Sequence, residues 1–156
     1  MLQATSRLLA TLCCGLFAGA ALYVTLVEHP ARMSLAPAIA VAQFVPSYQR
    51  AAVMQAILAT AGFVFAMTAW WNGASGWWLF GGSVLALVIP FTMLIVIPTN
   101  EALLDPSTLA SADETARLLA RWGSLHAVRT FLSVVALVIF LYRLTLRKIS
   151  SVYPKL

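Results

Sequence analysis

The chain of 156 residues is 62% hydrophobic and only 10% charged, and its mean hydropathy is +0.90. These values lie far outside the range of a water-soluble domain of this length, and they predict an integral membrane protein in contact with a lipid bilayer. The net charge of +5 is then explained by membrane topology and anionic lipid heads. The sequence has no basic nucleic-acid-binding module, so we expect no nucleic-acid partner.

Four windows of the sequence are long and apolar enough to cross a hydrocarbon core of roughly 30 Å, which takes about 20 helical residues. They cover residues 6–27, 51–71, 77–97 and 125–144. No linker rich in Pro, Ser or charge divides the chain, so residues 1–156 are predicted to form a single membrane domain. The expected fold class is all-α, a membrane-embedded four-helix bundle.

The connections between the windows differ in length. Residues 72–76 form a short turn, whereas the connections 28–50 and 98–124 are long. Because the number of spans is even, both long connections fall on one membrane face, and the short turn lies with both termini on the other. This terminal face carries basic residues and no acidic ones: Arg7, Arg143, Arg147, Lys148 and Lys155. The positive-inside rule therefore predicts cytoplasmic termini and long loops outside, and brevity and composition favour a bacterial inner membrane.

The first window ends in a cluster of ionisable side chains within the sequence VEHPAR, namely Glu28, His29 and Arg32. Pro30 is predicted to turn the chain out of the helix directly after His29. The apolar segment that follows, MSLAPAIAVAQFVP, is predicted to form a lid over a site at the membrane surface.

The third window contains Pro90, which predicts a kink, and it ends at Asn100 on the same membrane face as His29. Ser111 and Glu114 have the spacing of a capping box, so the last helix is expected to begin near residue 112 and to run to residue 144.

A narrow polar stripe is predicted on one face of this last helix. It consists of residues at intervals of four, three and four: Trp122, His126, Arg129 and Ser133. Ionisable groups at such depth are costly unless they face the bundle interior and find partners. Glu28 and Arg32 are the expected partners of His126 and Arg129.

Motifs at three helix ends resemble those of one family. "EHPAR" follows the first window, "IPTN" follows the third, and "RWGSLHAVR" opens the last helix. Over essentially the whole chain, they resemble the small four-helix membrane proteins called anthrone-oxygenase-like, formerly a domain of unknown function. The resemblance implies oxidation of an anthrone to an anthraquinone with molecular oxygen, the reaction associated with members in fungal polyketide pathways.

By motif position, two sets of candidate site residues follow. The catalytic candidates are His29, His126, Arg129, Asn100 and Glu28. The substrate-binding candidates are Arg32, Trp122, Thr99 and Tyr23.

Two chemistries remain open for the candidate site. His29, His126 and Glu28 have the composition of a mononuclear iron or copper site. Without a metal, a histidine base would deprotonate an anthrone-like C–H while Arg129 or Asn100 stabilises the oxyanion.

Two functions from different classes remain open. The first is a membrane oxidoreductase or oxygenase acting on an apolar aromatic or quinone-like small molecule that enters from the lipid. The alternative is a non-enzymatic membrane module that binds a small molecule or lipid, or serves as an accessory subunit. In that case the polar cluster is a structural network at the rim of the bundle.

Overall fold

The computed structural model describes residues 1–105 and 111–152, with side chains described as far as residue 146. This described part is all-α and contains four helices that are each long and apolar enough to cross a membrane. Helix α1 covers Leu2–Met33, α2 covers Pro37–Trp71, α3 covers Trp77–Leu104 and α4 covers Ala112–Val152. Each predicted window lies inside one of these helices, and all four helices extend beyond it toward the long connections.

The segment 33–46, predicted to be a loop that forms a lid, is helical from Pro37 onward, as is most of the connection 28–50. Helix α1 continues through Pro30 to Met33, and residues 34–36 lead directly into α2. Pro37 lies in the first turn of α2, where backbone N–H groups have no partner within the helix, so the missing N–H of proline costs no hydrogen bond. Ala36 before it has the extended ψ of 139° that a following proline favours. Phe44 in the middle of the segment is fully buried.

Two π-helical turns lie at the end of the bundle near the long connections. In α1 the turn Val24–Glu28 lies between the α-helical stretches Leu2–Tyr23 and His29–Met33. In α3 the turn Thr92–Val96 precedes Ile97–Leu104. A wide turn accommodates a proline ring that would clash with the carbonyl four residues earlier, and π turns are frequent at functional sites. Pro30 therefore continues the helix, contrary to the prediction that the chain leaves it after His29.

Helix α3 is also interrupted before its π turn. Its first α-helical stretch covers Trp77–Ala86, Leu87 interrupts the helix, and a second stretch covers Val88–Phe91. Pro90 has no N–H to donate to the carbonyl of Ala86, which explains a break at this position.

The helices are arranged in chain order around the bundle. Helix α1 packs against α2 and α4, α3 packs against the same two, and α1 and α3 are diagonally opposite. One buried cluster lies toward the short turn and includes Phe17, Trp78, Leu85 and Phe140. A second cluster lies toward the long connections and includes Val24, Phe44, Val96, Leu103, Leu119 and Trp122. The polar candidate residues lie within or beside the second cluster.

The start of α4 agrees with the sequence analysis. The backbone N–H of Glu114 donates to Ser111 Oγ at 3.2 Å, which is one half of the predicted capping box. Lys155, which contributes to the basic terminal face, lies outside the described residues, and so do the side chains of Arg147 and Lys148.

Candidate functional site

A small polar pocket lies between α1, α2 and α4 at the end of the bundle near the long connections. Its volume of about 20 Å³ is room for about one water molecule. Of the candidate residues, it is lined by Glu28, Arg32, Trp122, His126 and Arg129. The structure therefore brings together five side chains that the sequence motifs singled out.

Helical spacing explains why these side chains meet. Glu28 and Arg32 are four residues apart on α1, and His126 and Arg129 are three apart on α4, so each pair shares a helix face. Helix α2 completes the wall with residues at similar intervals: Phe44, Ser47, Tyr48, Ala51, Ala52 and Gln55.

The carboxylate of Glu28 is engaged by two donors. Its Oε1 accepts from Arg32 Nη2 and from the hydroxyl of Ser47. Arg32 is only 1% exposed, and its guanidinium lies over the rings of Phe44 and Trp122, 5.4 and 5.8 Å from their centroids. The predicted pairing of Glu28 with the arginine of α4 is wrong, because a cation four residues away on the same helix takes the carboxylate.

Arg129 has a neutral partner instead of a carboxylate. Its Nη2 donates to Gln55 Oε1 at 2.6 Å, and its guanidinium lies 5.9 Å from the ring centroid of Phe17. The residue is 8% exposed, and its Nε has no hydrogen-bond partner in the described part of the chain. The pocket thus holds two guanidinium groups, of Arg32 and Arg129, and one carboxylate. This excess of positive charge favours an anionic ligand.

His126 is the least satisfied polar residue of the pocket. It is 3% exposed and stacks on Trp122 with 4.9 Å between ring centroids. Neither ring nitrogen has a hydrogen-bond partner among the residues that the structure describes. The carbonyl of Ala21 lies near the ring but outside hydrogen-bonding geometry, and it accepts from Thr130 Oγ1 at 3.2 Å. Buried polar groups normally have partners, so the ring is available to exchange a proton with a ligand.

His29 lies beside the pocket and does not line it. Adjacent residues on a helix point about 100° apart, so His29 faces away from the side of α1 that carries Glu28. Its imidazole packs against Trp122, with 5.4 Å between ring centroids, and so tightly against Gly123 that an added Cβ there would overlap the ring. Among the described residues, no three His, Cys, Asp or Glu side chains are grouped so that they could hold a metal ion. The predicted metal ligands His29, His126 and Glu28 are therefore not gathered.

Asn100 lies behind the pocket wall, between Trp122 and Tyr48. The indole N–H of Trp122 donates to Asn100 Oδ1 at 2.9 Å, and Asn100 Nδ2 donates to the Tyr48 hydroxyl oxygen at 3.0 Å. Because an indole nitrogen can only donate, this bond fixes which end of the amide faces Tyr48. Asn100 is thus positioned to orient Tyr48, and it does not line the pocket that it was predicted to serve as an oxyanion donor.

Tyr23 and Thr99 also do not line the pocket. Tyr23 is 56% exposed on the surface of α1, and Thr99 is buried away from the cavity. Thr99 belongs to the IPTN motif and Tyr23 precedes EHPAR, but position in the sequence does not define the direction of a side chain.

Three pocket residues on α2 were missed by the sequence analysis: Ser47, Tyr48 and Gln55. The first two lie in the connection 28–50, directly after the segment predicted to form a lid. Pro37 as a helix start, followed by Tyr48 and Gln55 seven residues apart and therefore on one helix face, is the signal that would have found them.

A second, apolar cavity of about 230 Å³ adjoins the polar pocket. The two cavities share a wall formed by Tyr48, Ala52, Gln55 and Arg129. The remaining lining residues come from α1, α2 and α3: Phe17, Ala56, Ala59, Val88, Ile89, Thr92 and Met93. A small polar pocket thus adjoins a larger apolar space, the arrangement expected of a small-molecule site.

Comparison with known proteins connects this chain to one family. The family model described as Anthrone oxygenase matches residues 43–139, a range that contains Tyr48, Gln55, His126 and Arg129 and begins after Glu28. A protein of Aspergillus fumigatus named Anthrone oxygenase tpcL is 41% identical over 56 residues, which are 33% of this chain and 34% of that protein. The match therefore spans about a third of that relative. No solved structure matches the chain.

Proposed function

The chain belongs to the anthrone oxygenase family, and from this membership we propose that it is a membrane oxidoreductase of the oxygenase type. Its proposed substrate is an apolar aromatic small molecule, a hydroxyanthrone or a related quinone-like compound, which reacts where the apolar cavity adjoins the polar pocket. One observation carries the proposal: His126 is buried in the pocket wall, and neither of its ring nitrogens has a hydrogen-bond partner among the described residues. Beside it lies Arg129, whose only hydrogen-bonded partner in the described part of the chain is the neutral amide of Gln55.

The proposed reaction begins with removal of a proton from carbon. An anthrone has a methylene group opposite its ring carbonyl, and loss of a methylene proton delocalises negative charge onto the carbonyl oxygen. The neutral imidazole of His126 accepts this proton, and the guanidinium of Arg129 stabilises the oxyanion. A fixed cation in a site shielded from water acts on developing charge more strongly than it would in solution.

Molecular oxygen then oxidises the electron-rich carbanion. A C–O bond forms to one oxygen atom of O₂, and the resulting peroxide takes up the proton held by His126. The O–O bond breaks as the second methylene hydrogen leaves as a proton, giving an anthraquinone and one water molecule. The anthrone loses two hydrogens, and O₂ supplies both the new ketone oxygen and the oxygen of water, so the reaction balances without an external reductant.

Oxygen consumption by the purified protein tests this proposal. With 1,8-dihydroxyanthrone, the wild type is expected to consume one O₂ per anthraquinone formed, above the rate of uncatalysed oxidation. His126→Gln is expected to lose about 10²–10⁴-fold of the catalysed rate, the usual contribution of a general base. Arg117→Gln is the matched control, because that side chain is 76% exposed on the surface of α4, and it is expected to keep the wild-type rate.

The alternative, a non-enzymatic module, gives the opposite results in the same assay. Bracing suits the group formed by Glu28, Arg32 and Ser47, whose members hydrogen-bond one another, but it does not explain the unpartnered His126. If the cluster only braces the bundle, the wild type consumes no oxygen with any hydroxyanthrone, and His126→Gln alters only the melting temperature. Iron and copper analysis of the same preparations tests the alternative chemistry at a bound metal, whose predicted ligands are not gathered in the described part of the chain.

The proposal includes an orientation in a bacterial inner membrane, with both termini in the cytoplasm and the pocket near the outer face. Its support is the basic terminal face, which includes Arg7 and Arg143. With the two native cysteines replaced, Ala36→Cys in the connection between α1 and α2 is expected to react with an impermeant thiol reagent in intact cells. Reaction only after the membrane is broken would reverse the orientation.

A further inference from the structure

We propose that the apolar cavity beside the polar pocket is the substrate chamber, that it opens to the lipid between α2 and α3, and that Tyr48 selects substrates that carry a ring oxygen. This inference rests on the proposed function for the chemistry that follows binding.

Small side chains on one face of α2 create the chamber. Ala52, Ala56 and Ala59 follow one another at intervals of four and three, so they line the same side of the helix. The cavity of about 230 Å³ is larger than the roughly 150 Å³ that holds benzene in an engineered protein cavity. A fused aromatic ring system therefore fits, with its outer part in the mouth of the chamber.

The mouth of the chamber lies on the lipid-facing surface. Ala56 on α2 and Met93 on α3 both line the cavity and are both exposed. Helix α3 is interrupted at Leu87 and widened at Thr92–Val96, so it does not pack as a regular helix along the chamber. Both helices are candidate membrane spans, and an apolar substrate dissolved in the bilayer therefore reaches the chamber without passing through water.

The inner end of the chamber is polar. Tyr48, Gln55 and Arg129 line the chamber and the polar pocket alike. The Nε of Arg129, a residue 8% exposed, has no partner in the described part of the chain. A ring system with an oxygen at its leading edge would bring that oxygen to these groups.

The hydroxyl of Tyr48 is set to donate to such an oxygen. Its own oxygen accepts from Asn100, whose amide is held in that orientation by the indole N–H of Trp122. The hydroxyl hydrogen is therefore left for a ligand. A site built to bond a substrate oxygen rejects an analogue that lacks it, because the protein group then stays unpaired.

Binding of two probes, followed by quenching of the protein's tryptophan fluorescence, tests the inference independently of turnover. The first probe is 1,8-dihydroxyanthraquinone, which carries ring oxygens and cannot undergo the proposed oxidation. The second is anthracene, which has the same ring system without oxygen. Ala56→Trp fills the mouth and is expected to weaken both probes at least about 10-fold. Val53→Trp, at another exposed position of α2 outside both cavities, is expected to leave both unchanged.

Tyr48→Phe is expected to weaken the anthraquinone by about 3–10-fold, the effect of one neutral hydrogen bond, and to leave anthracene unchanged. Wild-type affinity in Ala56→Trp would overturn the chamber, and equal effects of Tyr48→Phe on both probes would overturn the role of Tyr48. Failure of the proposed function looks different: the probes behave as expected while the wild type consumes no oxygen with 1,8-dihydroxyanthrone. Normal turnover with unaltered binding in Ala56→Trp would reject the chamber and keep the function.

Discussion

The two buried arginines of the polar pocket are expected to respond differently to loss of their charge. Arg32 is paired with the carboxylate of Glu28, whereas Arg129 is bonded to the neutral amide of Gln55. Methionine is unbranched, apolar and adaptable in shape, so Arg32→Met and Arg129→Met remove the charge and keep much of the side-chain volume. Each variant is the control for the other.

Arg32→Met leaves the carboxylate of Glu28 with Ser47 as its remaining hydrogen-bond donor. Removing one member of a buried ion pair lowers the free energy of unfolding by about 3–5 kcal/mol. The Glu28 side chain keeps 18% of its exposure, and water recovers part of that loss, so we expect a decrease of about 2–4 kcal/mol.

Arg129→Met removes a buried cation that has no carboxylate partner. Desolvation of such a charge costs several kcal/mol, whereas its bond to Gln55 contributes about 1.5–3 kcal/mol. These contributions nearly cancel, so the single variant is expected to stay within about 1 kcal/mol of the wild type. The double variant Gln55→Leu/Arg129→Met also removes the orphaned amide and is expected to be about 1–4 kcal/mol more stable than the wild type.

Thermal melting in one detergent, followed by the helical circular dichroism signal, measures these changes at about 2–4 °C per kcal/mol for a chain of this size. Arg32→Met is expected to melt well below the wild type. Arg129→Met is expected to melt within about 2–4 °C of the wild type, and the double variant is expected to melt above it. Both are expected to lose oxygen consumption, because the charge is retained for a ligand at a cost in stability. A double variant that melts well below the wild type would show that Arg129 stabilises the bundle and is not retained at a cost in stability.

Two further substitutions probe the contacts that hold the site. Asn100→Ala is expected to lower the free energy of unfolding by about 2 kcal/mol, because the buried indole N–H of Trp122 loses its acceptor. In a Trp122→Phe background the same change is expected to cost about 1 kcal/mol less, and equal melting shifts in the two backgrounds would mean that the side chains are not coupled. Gly123→Ala forces a methyl group into the His29 ring and is expected to cost about 1–3 kcal/mol. Gly19→Ala is the control: its methyl group contacts nothing, so the change is expected to be neutral or stabilising by up to about 1 kcal/mol. A Gly123→Ala protein with the melting temperature of the wild type would contradict the close contact of α1 with α4.

The sequence was sufficient to predict the bundle and much of the pocket. Apolar windows of spanning length locate the four helices because a membrane helix must satisfy its backbone internally. Helical spacing then puts His126 and Arg129 on one face of α4, and the ends of the windows bring Glu28 and Arg32 to the same end of the bundle. These predictions depend on the length of each helix and on residue spacing along it, and both can be read from the sequence.

The errors concern features that a pattern does not contain. Pro30 reads as a helix end unless the π turn before it is known, and the segment before residue 51 reads as a loop because two prolines, Pro37 and Pro46, obscure its helical spacing. The partner of Arg129 depends on which neutral side chain of another helix reaches it, and only the packed bundle identifies Gln55.

Hydrogen exchange on the substrate in the absence of oxygen isolates the removal of a proton from carbon by His126. Under argon in D₂O, the purified wild type is expected to speed deuterium incorporation into the methylene group of 1,8-dihydroxyanthrone, measured by mass spectrometry, because proton transfer precedes the reaction with O₂. His126→Gln is expected to leave the exchange at the rate seen without protein. A wild type that consumes oxygen with this anthrone but does not speed the exchange would contradict the account.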